Sequence, residues 1–245
     1  SVLACPEEQL EATKNLAEEY ELLLHIHISE TPRNIFRYFR LFGKTQAEKL
    51  DELGLLDDGF VGAHGVHLTE NDKELLNERD SGIVNNPCSN LKLGSGIADV
   101  SEMDGNTVGL GTDGSASNNS LNMFEEMKFA SLVQKRKKPG CIDAQKVLDM
   151  ATIDGASVLN KEDEIGSLEE GKRADIIMID LERLDMSPYY GKKGLISNLV
   201  YSFDGTVEGT MVDGEFLVRD GELQKIDRKE TVRKVQELVE DKFVN

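Results

Sequence analysis

Before residue 160 the chain alternates, four times over, between a short apolar run and an amphipathic helix. That alternation is the signature of βα units, which lay their strands side by side in a parallel sheet and their helices against it. Strands buried on both faces read as continuous apolar runs rather than alternating ones. Strands are predicted over residues 22–28, 60–63, 82–87 and 107–111, with Pro87 closing the third. Helices are predicted over residues 7–19, 33–41, 45–53, from Thr69 onward through Leu75 and Leu76, and over 118–134, 143–150 and 152–159. Residues 88–99, rich in Gly, Ser and Asn, read as a loop.

Four βα units are half of an eight-unit barrel, so the fold class is α/β and the architecture half of a (β/α)8 barrel. Past residue 160 the texture changes. Strands are expected over 174–180, 199–203, 207–212 and 216–218, with Asp213-Gly214 and Asp220-Gly221 as hairpin turns. A closing helix over 229–243 places Val232, Val235, Val239 and Phe243 on one face. The expected organisation is a barrel half over 1–160, a small β unit over 161–228 and a C-terminal helix over 229–245. The chain opens on Ser1, not Met, and enters a helix at once, which reads as a piece of something longer.

The formal net charge of −18 argues against nucleic acid or an anionic membrane as partner, since both need a cationic surface. No run approaches the roughly 20 apolar residues that span a bilayer. No signal peptide is visible, and Cys5, Cys88 and Cys141 are few and scattered. Reduced thiols and a cytoplasmic location are expected.

Function in such barrels sits where the strands end. The first strand ends in His27, with Glu30 three residues on; the second ends in His64; the fourth ends in Asp113. Imidazole nitrogens and carboxylate oxygens suit a divalent first-row metal, which makes hydroxide available near neutral pH. Glu30 could reach that centre as a proton carrier without being a ligand, His64 could orient the attacking oxygen, and Asp113 could both ligate and accept a proton. Each residue has a duller role open to it: a lone strand-end histidine is a satisfied polar group, and Asp before Gly is a turn former. His25 and His67 are expected to point away from the centre and serve structure. Asp99 and Glu102 read as solvated loop acids, and Lys135-Arg136-Lys137-Lys138 as compensation of a helix dipole.

Four stretches carry a resemblance: His25-Ile26-His27-Ile28-Ser29-Glu30-Thr31, Ala63-His64-Gly65-Val66-His67-Leu68, Asn86-Pro87-Cys88-Ser89-Asn90-Leu91-Lys92-Leu93 and Gly111-Thr112-Asp113-Gly114-Ser115-Ala116-Ser117-Asn118-Asn119. In this order they resemble the amidohydrolase superfamily, and within it the 5′-methylthioadenosine/S-adenosylhomocysteine deaminases, including 5′-deoxyadenosine deaminases. Gly171-Lys172-Arg173-Ala174-Asp175 is similar to that group's return into its small β-sandwich domain. The resemblance implies a metal-dependent hydrolase barrel whose strands five to eight are present here. It implies His27 and Asp113 as ligands of one divalent metal, zinc first, with iron, nickel, cobalt and manganese open. It implies Glu30 as proton shuttle and purine contact, His64 against the attacking water, Asp113 as base, and Ser89, Asn90 and residues 115–119 shaping the mouth. The last group can equally be turn and cap formers. The implied reaction is hydrolytic deamination of an adenosine-type nucleoside, water adding to the amine-bearing purine carbon and ammonia leaving.

The departures are as informative. The group's His-x-His pair at the end of strand one has no counterpart upstream, nor do the acid, arginines and histidine that hold its substrate. The chain therefore resembles the C-terminal part of a longer enzyme, inactive alone, whose N-terminal barrel half is a companion chain or lost segment; the complete enzyme is expected to be a homo-oligomer. Two alternatives stand beside this. One is another amidohydrolase, a guanine or cytosine deaminase or a triazine hydrolase. The other is a non-catalytic half-barrel needing a partner chain.

Overall fold

The computed structural model describes residues 1–103, 105 and 107–244. The barrel half begins with α1 (Glu7–Tyr20), β1 (Leu24–Ile28), α2 (Pro32–Phe42), α3 (Gln46–Glu52), β2 (Phe60–His64), α4 (Glu70–Glu78) and β3 (Gly82–Asn85). It continues with α5 (Pro87–Lys92), β4 (Val108–Leu110), α6 (Ser115–Asn118), α7 (Met123–Gln134), α8 (Ala144–Ala151) and α9 (Ile153–Val158). The four strands form one parallel sheet in chain order, with Ile28 beside His64 and Asn85 beside Leu110. This is half of the eight-stranded barrel architecture, and β1 and β4 are its edges.

Local chemistry starts these helices where they start. Thr31 accepts from Asn34 N–H with Pro32 at the first turn. Thr45 and Thr69 each close a capping box, with Glu48 and with Asp72. Ile28, Phe60 and Ile83 then meet Leu50 and Leu76 in a core that solvent does not reach.

The second part holds β5 (Ile176–Met178), α10 (Gly191–Tyr201), β6 (Gly209–Val212), β7 (Glu215–Arg219), β8 (Glu222–Leu223) and α11 (Arg228–Val239). Its four strands form an antiparallel sheet in chain order. Among the described residues no helix is long and apolar enough to cross a membrane.

Several predicted elements differ. Residues 199–203, expected as a strand, lie mostly in α10, because Ile196 and Val200 share one helical face that is buried against the core of α7 and α8. The expected helix over 118–134 is two: Asn119 turns the chain at φ 72°, and Asn122 caps a fresh start at α7. Within the expected loop 88–99, α5 forms because Pro87 opens it and a buried carboxylate, Glu126, accepts from Cys88 N–H. Asp99 and Glu102 are not merely solvated: Lys137 reaches both, and Arg136 pairs with Asp99 at 3.0 Å. The basic run thus answers loop acids.

Candidate active site

The strand ends bend sharply on the side where the polar residues collect. Ser29, His64 and Asp113 all take left-handed backbone conformations, at φ 48°, 78° and 58°. Each non-glycine residue held there costs about 1–3 kcal/mol, a cost that concentrates at functional sites. The ladder runs on past the strands: Gly65 N–H donates to Ile28 C=O and His67 N–H to Ser29 C=O. Ser29 N–H donates to the buried Gln46 Oε1 at 2.8 Å, which holds the turn leading to Glu30.

His27, Glu30 and His64 come together. One ligand atom from each lies within 4.8 Å of the others. The two imidazoles meet edge to face, centroids 5.0 Å apart at 82°. His64 is buried, and its Nδ1 lies 2.8 Å from Asn90 Oδ1. Burial, and next the neighbouring His64, hold the His27 pKa below the ordinary imidazole value, although solvent reaches part of its ring. A neutral imidazole is the form that ligates a metal.

Asp113 lies outside that trio of ligand atoms, but His27 and His64 both feel its charge. Burial pushes its carboxyl pKa up, yet hydrogen bonds from Ser89, Ser117 and Gly114 N–H outweigh this and hold it below the usual range. Ser89 Oγ donates at 2.5 Å and Gly114 N–H at 2.7 Å. Ser89 and Asn90 are both buried on α5. Glu30 accepts from Ser95 Oγ at 3.4 Å. The trio of two imidazoles and one carboxylate fits a borderline divalent cation.

The histidines outside the trio differ in kind. His67 Nε2 lies 2.7 Å from Ser95 C=O, within the loop that also touches Glu30. His25 does not point away from His27: two residues apart in one strand, they share a face, opposite Leu24 and Ile28, which are buried. The expectation for His25 miscounted the strand period.

Sequence reasoning missed Glu126. It is fully buried in α7, accepts from Cys88 N–H at 3.1 Å and from Asn118 Nδ2 at 2.6 Å, and Asn118 also donates to Thr112 C=O at 2.7 Å. One carboxylate thereby ties the helix bearing Ser89 to the loop bearing Asp113. The available signal was polar Glu126, Ser131 and Gln134 on the same face of α7 as Met127 and Ala130.

Residues 1–217 match the profile of the Amidohydrolase family. The chain belongs to that family. Among amidohydrolases, the chain is 40% identical over 237 residues to a 5′-deoxyadenosine deaminase of Methanobrevibacter smithii, covering 95% of this chain and 54% of the relative. It is 38% identical over 238 residues to a 5-methylthioadenosine/S-adenosylhomocysteine deaminase of Desulforamulus reducens, with the same two coverages of 95% and 54%. The crystal structure of an adenosine deaminase from Xanthomonas campestris with bound zinc superposes at a TM-score of 0.90 and 31% identity, over 95% of this chain and 53% of that one. The chain thus spans about half the length of the curated relatives it matches.

Proposed function

We propose that the protein to which this chain belongs removes ammonia hydrolytically from an adenosine-type nucleoside: 5′-deoxyadenosine, 5′-methylthioadenosine or S-adenosylhomocysteine. The observation that carries this is the meeting of His27, Glu30 and His64 at adjoining strand ends, in a chain 40% identical to a 5′-deoxyadenosine deaminase. His27 and Asp113 are the proposed metal ligands, with zinc the metal the donor set favours. Bound there, a divalent metal supplies Lewis acidity and lets water attack at neutral pH. Glu30 takes a proton from the attacking water and passes it to the departing amine, and it holds the purine. His64 orients that water. Ser89 keeps Asp113 ionised, so that the carboxylate can both ligate and accept a proton. Ser89 and Asn90, both buried, stand behind the wall against which the purine rests and hold Asp113 and His64 in it.

Two ligands on half a barrel hold a metal too loosely for turnover, so the 245-residue chain alone is proposed to be inactive. Activity then needs four further βα units, in the same polypeptide or from a companion chain, and the complete enzyme is proposed to be a homo-oligomer in the cytoplasm. The test is ammonia release from the three nucleosides by the complete protein, metal-stripped and reloaded with zinc, iron, nickel, cobalt or manganese in turn. No release with any pairing, from folded protein, sinks the proposal.

A further inference from the structure

What His64 can do depends on which ring nitrogen carries its proton, and the partner of the other nitrogen decides that. Its Nδ1 lies 2.8 Å from Asn90 Oδ1. The Asn90 amide has a second partner: its Nδ2 donates to Asn85 Oδ1 at 3.4 Å. Asn85 ends β3, Asn90 sits on α5, and both are buried. The amide is therefore oriented from both ends, nitrogen toward Asn85 and oxygen toward His64. An amide oxygen only accepts, so with the amide in this orientation the His64 nitrogen facing it is N–H, and a neutral imidazole has one N–H to give.

We propose that Asn90, oriented by Asn85, is a positioning residue that fixes neutral His64 in the Nδ1–H tautomer and leaves Nε2 as the ring's one lone pair. Such a ring accepts a proton or a hydrogen bond at Nε2 and donates none there. The tautomer rests on the three side chains alone. Its consequence, that His64 takes the role of acceptor toward the attacking water, rests on the deaminase reading above. Turning both amides over would reverse the tautomer, which makes the proton's position the deciding observable.

The experiment is long-range 1H–15N correlation NMR on uniformly 15N-labelled, metal-free protein at about pH 8, where histidine is neutral. With four histidines in the chain, His64 is assigned by the signal lost in His64→Gln. A proton on Nδ1 and a bare Nε2 are expected in the unaltered protein; a proton on Nε2 overturns the proposal. In Asn90→Ala the Nδ1–H to Nε2–H ratio should fall by about fivefold or more, the worth of one ordinary hydrogen bond. An unchanged ratio in folded protein overturns it. Asn90→Asp, whose carboxylate also only accepts, should retain Nδ1–H, and loss of it there overturns the proposal even if Asn90→Ala does not fold. A protein with the expected tautomer but no deaminase activity would sink the functional reading and leave this one standing.

Discussion

The Ser89 hydroxyl donates to the Asp113 carboxylate at 2.5 Å, joining α5 to the loop after β4 across 24 residues of sequence. Hydrogen bonds to the charged form lower a carboxyl pKa, and here they outweigh burial, which acts the other way. Ser89→Ala should therefore raise the Asp113 pKa toward the ordinary value. The sign for stability follows. A depressed pKa contributes stability that is present above the unfolded carboxyl's pKa and is lost as pH falls through the folded one. The variant should begin to lose that contribution at a higher pH than the parent. Carbon-detected NMR titration of Asp113 in metal-free protein measures it, and an unmoved or lowered pKa refutes the assignment.

His27 and Asp113 are proposed as ligands, and Glu30 as proton carrier. In the complete protein, His27→Ala and Asp113→Ala should each lower metal affinity by at least the 10–100-fold that losing even an outer-shell partner costs, and should abolish turnover. Glu30→Gln should retain the metal and lose about 10²–10⁴-fold in kcat, the usual worth of general acid–base transfer. Metal content by elemental mass spectrometry, beside ammonia release, separates the two roles. Loss of metal in Glu30→Gln would make Glu30 a ligand, in keeping with its place in the trio of ligand atoms.

Gly62 sits in the middle of β2, between Ile26 of β1 and Ile83 of β3. A Cβ there would stand 2.7 Å from Ile28 Cγ2 and 2.9 Å from Ile83 Cδ1, both on side chains that solvent does not reach. Overpacking of that kind costs about 1–3 kcal/mol. Gly62→Ala should lower the denaturant midpoint accordingly. It should also lower turnover of the complete protein, because the strand that must shift is the one that ends in His64, the residue proposed to orient the water. Unchanged stability would mean that the two isoleucines yield freely.

How far such a site can be read from sequence depends on what each residue's partner is. The parallel sheet was legible because each strand is an apolar run bounded by turn residues, a property of consecutive positions. The meeting of His27, Glu30 and His64 was legible because strand ends share one rim of such a sheet, so residues far apart in sequence can be placed together without coordinates. Residues 199–203 were not legible as helix. Val200, Tyr201 and Phe203 carry strand propensity, and the packing of Ile196 and Val200 on α7 and α8 selects the helical period. The long-range partners of Asn90 and Glu126 were illegible in another way. Asn90 meets His64 across 26 residues and Glu126 meets Cys88 across 38, and no local pattern encodes a single side-chain hydrogen bond at that distance.

Glu126 gives the sharpest test of that long-range wiring. Burial raises its pKa, against the pull of the Cys88 N–H and thiol and of Asn118. An acid whose folded pKa lies above its unfolded one binds protons more readily in the native state. Stability should then fall as pH rises from the ordinary glutamate value through the folded one. Glu126→Gln removes that titration, so its stability should be flatter over the same window while one acceptor for Cys88 N–H is kept. Glu126→Ala leaves the half-buried Cys88 N–H without its acceptor and the Asn118 amide with Thr112 C=O alone, at up to about 1–3 kcal/mol for a group left unsatisfied. It also unties α5 from the Asp113 loop. Urea unfolding of the parent and both variants across that pH range decides it: a parallel pH dependence in parent and Glu126→Gln would show that Glu126 does not titrate there. An Ala variant as stable as the parent would show that the carboxylate holds neither helix nor loop in place.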